Sequence, residues 1–167
     1  MSTRLIRRTF ESTSVRPDSG IYSLVLELER GRGIEVGSLG MLSLSRGYYV
    51  YTGSARGPGG LKRVDRHLQI IQGRREARRW HIDHLLPFTS LQVAFVTRTS
   101  RDLECIIARA IGESLEAVGG FGCSDCRCGS HLHYSPELGR ACEAAIGAHR
   151  AASGADPEVY VARPSEI

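Results

Sequence analysis

Two tyrosines, an arginine and a histidine carry the clearest chemistry in this chain. Tyr22 stands in Gly20-Ile21-Tyr22, Tyr51 in Tyr51-Thr52-Gly53, and Arg63 and His67 follow four residues apart. Phenols, a guanidinium and an imidazole together can cut a phosphodiester: the guanidinium neutralises charge on phosphate oxygens, while phenol and imidazole hold or move a proton. Tyrosine alone says little, because it is simply a good strand residue. The informative feature is the order in which the four appear.

The elements that must position them follow from periodicity. After the turn signal Pro17-Asp18-Ser19-Gly20, Tyr22, Leu24, Leu26 and Leu28 alternate with Ser23, Glu27 and Glu29, which predicts a half-buried strand. The segment through Leu42-Ser43-Leu44 reads as a short strand or an extended loop. Gly47 to Thr52 is dense in aromatic and β-branched residues and predicts a second strand, close enough to pair antiparallel with the first. Gly53 to Gly60 then holds four glycines in eight residues, a run that either lets backbone N–H groups approach a phosphate or serves as a connector. Leu61, Val64 and Leu68 recur at helical spacing, so a helix over 61–71 puts Arg63 and His67 on one side, beside Lys62 and Arg66.

A basic run, Arg74-Arg75-Glu76-Ala77-Arg78-Arg79, leads into a second helix that Pro87 ends. Its His81 and His84 could hold a metal or a phosphate, or be satisfied in a partly buried setting. Candidate substrate-binding residues are Gly53, Ser54, Arg66, Arg78, Arg79 and His81. Residues 91–97 predict a third strand, and Leu103, Ile106, Ile107, Ala110 and Ile111 mark the apolar face of a third helix over 101–115. Glu104 lies in its first turn, where the helix dipole favours a carboxylate whatever its role.

At 167 residues and 41% hydrophobic content the chain reads as one domain with frayed ends. Its net charge is +4, its pI near 9.0, and Lys62 is the single lysine among 22 basic residues. Arginine suits bidentate phosphate contacts, so nucleic acid is the favoured partner. No stretch reaches the roughly 18 apolar residues of a membrane span, and Met1 to Arg8 lacks the apolar stretch of a secretory signal. A cytoplasmic location is expected, where the five cysteines are reduced thiols or metal ligands. Cys123, Cys126, Cys128 and His131 fall within nine residues and could bind zinc, although structural zinc sites usually draw on two separated pairs. The other reading is a glycine-aided turn with free or oxidisable thiols. His131 and His133 precede Tyr134 in a final strand, and either could reach the phosphodiester-cutting groups. A terminal helix over 135–149 carries Cys142 on or near its apolar face. The expected division is an N-terminal segment, 1–18; a core domain, 19–118; a Cys/His-rich extension with the terminal helix, 119–150; and a flexible tail, 151–167.

Taken in order, Gly20-Ile21-Tyr22, Tyr51-Thr52-Gly53, Arg63, His67 and Glu104 resemble the GIY-YIG nuclease superfamily, with Thr52 where the name has isoleucine. Tyr49 to Ala55, Gly59-Gly60-Leu61, Trp80-His81-Ile82-Asp83 and Phe121 to Cys126 are similar to its Uri-type branch, and the likeness spans about residues 20 to 134. It implies an α/β (α+β) fold, a small three-stranded antiparallel sheet flanked by helices. It also implies an endonuclease that hydrolyses DNA, single-stranded, duplex or branched, with Mg2+ or Mn2+ on a helical glutamate. That glutamate is Glu104, with Glu113 or Glu116 as alternatives, and Tyr22, Tyr51, Arg63 and His67 are the matching catalytic positions. The alternative function is a nucleic-acid-binding module that does not cut, its Cys/His cluster structural or redox-active. A protein partner or a second copy would have to add specificity, since one small domain has little surface for base readout.

Overall fold

The computed structural model describes the backbone of residues 3–5 and residues 18–123 and 126–162. Most of the expected N-terminal segment, Ser124 and Asp125, and the end of the expected tail lie outside the described residues. In chain order the elements are β1 (Thr3–Leu5), β2 (Gly20–Leu28), β3 (Arg32–Glu35), β4 (Met41–Leu44), β5 (Gly47–Ser54), α1 (Lys62–Ile71), α2 (His81–Leu85), β6 (Ser90–Arg98), α3 (Glu104–Gly112), β7 (Glu116–Ala117), β8 (Leu132–Ser135), α4 (Leu138–Ser153) and β9 (Glu158–Val161). No helix among the described residues is long and apolar enough to cross a membrane.

The fold is mixed α+β, and its sheet is larger than the three strands expected. β2, β5 and β6 form the centre of a seven-stranded sheet in the order β1-β9-β6-β2-β5-β8-β7. All neighbours are antiparallel except β1 and β9. A bare three-strand sheet would leave β5 and β6 as open edges, each a row of unpaired backbone groups. β8 covers the first and β9 the second. The stretch expected as a flexible tail therefore supplies the end of α4 and a strand whose Val159 pairs opposite Phe95 and is buried. β3 and β4 make a separate hairpin, which resolves the strand-or-loop choice at Leu42 to Leu44 in favour of a strand.

β2 is buried on both faces rather than half-buried. Tyr22, Leu24, Leu26 and Leu28 pack with Val64 and Ile70 of α1 and Ile82 and Leu85 of α2. Ile21 and Val25, on the other face, pack with Leu103, Ile107 and Ile111 of α3 and the alanine face of α4. Ser23, read as solvent-facing, is fully buried because it meets a polar side chain from α4. Its Oγ lies 2.9 Å from His149 Nε2 and 2.9 Å from Thr52 Oγ1, while His149 Nδ1 is 2.8 Å from Thr97 Oγ1. One imidazole thus ties α4 to β2 and β6 directly, and through Ser23 to β5. Burial pushes His149 down to about 4, so the ring is neutral at pH 7.

The second helix stands where expected, after the basic run, which is not itself helical: α2 starts after Trp80 and ends before Pro87. The side chain of Asp83 accepts from the backbone N–H of Trp80, which fixes the start of the helix there.

Replacing His149 by alanine removes partners from two buried hydroxyls and leaves a cavity. The unfolding free energy should fall by about 2–4 kcal/mol, read by denaturant melting, with the cleft on the other sheet face unchanged.

Candidate active site

A cleft of about 590 Å³ opens at the end of the sheet where β2 begins and β5 ends. Tyr22, Tyr51, Ser54, Arg63, Trp80 and Glu104 all line it. The Tyr22 and Tyr51 rings are 6.4 Å apart between centroids, and the Tyr22 hydroxyl is 2.7 Å from His67 Nε2. His67 itself does not line the cleft; it is fully buried behind Tyr22. Burial, and next the Arg66 guanidinium, push His67 down to about 3, so a neutral ring faces the phenol. Burial raises Tyr22 well above its ordinary value, with Tyr51 adding to the rise and Arg63 opposing it. Tyr51 is raised too, by burial and then by Glu104. Both phenols therefore stay protonated at neutral pH.

Gly53 has a different task from the phosphate contact expected of it. It pairs opposite Tyr22 across β2 and β5, and a Cβ there would collide with the Tyr22 hydroxyl. The missing side chain is what gives the phenol its place. The rest of the glycine run is a connector. Gly60 adopts φ +53, a Cβ on it would run into the Asp18 carbonyl, and the Leu61 N–H donates to that carbonyl at 2.6 Å. Of residues 53–60, only Ser54 lines the cleft.

Four arginines approach the same wall, and they divide by partner. Arg63 donates from Nη1 to the Ser54 carbonyl at 2.6 Å and stands 4.8 Å from the Trp80 ring centroid. Arg79 is 5.5 Å from that ring and lines the cleft, as does Arg78. Arg66, expected to bind substrate, is instead held by Asp83 through two hydrogen bonds of 2.7 and 2.8 Å, and it stacks 4.1 Å from Trp80. Asp83 is fully buried and also accepts from the backbone N–H of Arg79 and Trp80 at 2.9 Å each. Burial pushes its carboxyl up, but Arg66 and those two N–H groups outweigh that and hold it below the usual range. His81 lines the cleft with Nδ1 accepting from the Gly122 N–H at 2.9 Å. His81 and His84 join no cluster of three or more metal-ligating groups among the described residues.

A second chemistry occupies the far wall. Cys105, Cys126, Cys128 and His131 bring their ligand atoms within 4.8 Å of one another, a group that could hold a metal ion such as zinc. His131 Nε2 lies 2.8 Å from Cys128, 3.3 Å from Cys126 and 3.8 Å from Cys105. Cys123, expected in this set, is 3.9 Å from Cys128 and stands outside the four. Cys105 takes its place because the first turn of α3 packs beside the start of β8. The expected set was too tight for a structural zinc site; the observed one draws ligands from separated segments. Burial would raise Cys126, but hydrogen bonds from Cys128 bring it down to about 7, while burial and neighbouring thiols push Cys128 up to about 12.

Glu104 joins the two walls. Its Oε1 is 2.7 Å from His131 Nδ1, and burial's downward push on that ring is outweighed by this carboxylate. Neither Glu113 nor Glu116 lines the cleft. His133 does not reach it either: it is buried and pushed down to about 4. Sequence reasoning missed Cys105, Asp83 and the part played by Trp80. Asp83 had a local signal, three residues past the N-cap Trp80; Cys105 had none.

Residues 21–153 match the model of a family described as a domain of unknown function, DUF123, and the chain belongs to that family. Neither the curated proteins nor the solved structures returned a match.

Asp83→Asn would leave the Arg66 charge largely buried without its carboxylate, and the unfolding free energy at pH 7 should drop by about 3 kcal/mol in denaturant melts. Acid behaviour follows from His67 and His149, whose folded values near 3 and 4 lie below the unfolded value of 6.5. Their stabilising share is present above pH 6.5 and is lost as pH falls towards those folded values. Each ring should add a slope approaching 1.4 kcal/mol per pH unit, to order of magnitude, and His67→Gln should remove one such share.

Proposed function

We propose that the cleft of this DUF123-family chain hydrolyses phosphodiester bonds in DNA as a metal-dependent endonuclease. The observation that carries the reading is the Tyr22 hydroxyl, 2.7 Å from a neutral, fully buried imidazole in a cleft that also presents Arg63. The likeness to GIY-YIG nucleases supports it, since four of the residues that carry it, Tyr22, Tyr51, Arg63 and Glu104, line one cavity, with His67 directly behind Tyr22.

Water attacking the phosphorus in line must lose a proton. Tyr22 remains protonated at neutral pH, so it takes that proton only in step with passing its own to His67 Nε2. This needs His67 in the form that carries its hydrogen on Nδ1. The imidazolium formed is short-lived, because burial and Arg66 disfavour it, and its proton returns by way of Tyr22 to solvent or the leaving oxygen. Arg63, oriented by the Ser54 carbonyl and Trp80, turns its remaining N–H groups on the phosphate oxygens that gain charge. Arg78 and Arg79 hold the backbone on either side and carry no base specificity.

Mg2+ or Mn2+ prefers hard oxygen ligands and keeps several waters, and the Glu104 carboxylate in the cleft wall fits as its protein ligand. Bound there, the ion supplies polarisation of the phosphate and stabilisation of the leaving oxygen. The thiol and imidazole cluster fits zinc and not magnesium, because its donors are soft.

The test is cleavage of labelled single-stranded, duplex and branched DNA with Mg2+ or Mn2+. Arg63→Ala should lower kcat about 10²- to 10³-fold and Tyr22→Phe about 10²- to 10⁴-fold, with DNA binding by Tyr22→Phe retained. Binding without cleavage on every substrate would favour the non-cutting module. Cleavage indifferent to both substitutions would sink the assignment.

A further inference from the structure

We infer that Cys105, Cys126, Cys128 and His131 hold a zinc ion that shapes the cleft, fixing Glu104 through His131 and locking Phe121 and Gly122 in place as part of one of its walls. Glu104 is then a positioning residue of the zinc site as well as a cleft residue. Only its service to DNA cleavage rests on the function proposed above; the zinc site and its coupling to the cleft do not.

The donor geometry argues for the ion. Three sulfurs and one imidazole nitrogen converge from α3 and from the residues leading into β8, His131 being the one just before it. Tetrahedral zinc with bonds of about 2.3 Å places sulfurs about 3.8 Å apart. The four ligand atoms here already lie within 4.8 Å of one another. The imidazole is also aimed. Glu104 holds Nδ1 at 2.7 Å, which keeps the hydrogen on that nitrogen and leaves Nε2 bare towards the thiols. A carboxylate on the far nitrogen of a ligating histidine is the usual support for zinc, orienting the ring and raising its basicity.

The coupling argument comes from the chain that carries the ligands. Between β7 and β8 the described residues, 118–123 and 126–131, form no helix or strand and include Gly119, Gly120, Gly122 and Gly129, so ordering them is entropically costly. They nevertheless build the cleft. Phe121 is fully buried, 6.3 Å from the Tyr51 ring and 5.7 Å from His81, and the Gly122 N–H donates to His81. The His131 N–H donates to the Phe121 carbonyl at 2.8 Å, and the Thr52 N–H to the His131 carbonyl at 3.0 Å. A metal clip on Cys126, Cys128 and His131 stabilises this wall because binding energy in such a site becomes ordering energy.

The experiment measures metal and the cleft without measuring cleavage. Zinc per chain is determined on purified protein, zinc affinity by chelator competition, and the cleft by emission of Trp80, the single tryptophan. The expected results are one zinc per chain, its loss in Cys128→Ser, and an affinity about 10- to 100-fold weaker in Glu104→Ala. Glu104→Gln keeps an acceptor for Nδ1–H and should lose less. Removing zinc from the unaltered chain should shift Trp80 emission to the red, and adding zinc back should reverse it, so the result does not hang on how well Cys128→Ser folds. No stoichiometric zinc, unchanged affinity in Glu104→Ala, or Trp80 emission unmoved by zinc removal would each overturn the inference. A chain that passes these measurements yet cuts no DNA would remove the proposed function and leave this one standing.

Discussion

The buried carboxylate of Asp83 is the constraint on which the cationic wall depends. It accepts four hydrogen bonds, two from Arg66 and two from the backbone of Arg79 and Trp80. A fully buried carboxylate persists only when such partners replace its hydration. The bonds set where α2 begins, and so where the Trp80 ring stands. Three guanidinium groups gather on that ring within 5.5 Å. One of them is neutralised by Asp83, which leaves Arg63 and Arg79 to line the cleft alongside Arg78. The same pair sets the field at His67, where Arg66 opposes and Asp83 favours protonation, with burial stronger than either.

Strand alternation divides the rest of the work between two faces. Tyr22 and Gly53 are register partners on the cleft face; Ser23 and Thr52 are register partners on the face covered by α4. Thr52 is the place where this chain departs from the motif it resembles. Its hydroxyl bonds to Ser23, which in turn meets His149. An isoleucine there would put an apolar group beside Ser23 and the neutral imidazole. The departure is thus matched by a polar network on the far side of the sheet and leaves the cleft face intact.

The legible parts were those fixed by local periodicity. β2, β5, β6 and the helix carrying Arg63 and His67 all follow from runs of residues whose spacing reports their own burial. Of the outer strands, β8 falls where a final strand around Tyr134 is expected, while β7 with two residues and β9 with four are too short for alternation to show. The site features that local sequence does not reveal share one cause, long-range pairing. Arg66 read as a substrate contact because its partner Asp83 lies in another helix. Gly53 read as a phosphate contact because the phenol that needs its space comes from a different strand. Cys123 read as a ligand because it is close in sequence, and Cys105 was passed over because only tertiary packing brings it in.

Glu104 and Cys105 show how the core governs both chemistries. They are consecutive at the start of α3, so a helix turns them about 100° apart, and each can meet its own partners only if the helix is rotated correctly about its axis. That rotation is set by Leu103, Ile107 and Ile111, all buried against the sheet and α4. The N-terminal position contributes as well: the positive end of the helix dipole favours a carboxylate in the first turn. A side chain added or lost in that apolar stripe would therefore disturb the carboxylate facing the cleft and the sulfur facing His131 together. The position of the carboxylate and that of the sulfur are two readouts of one helix packed in one register.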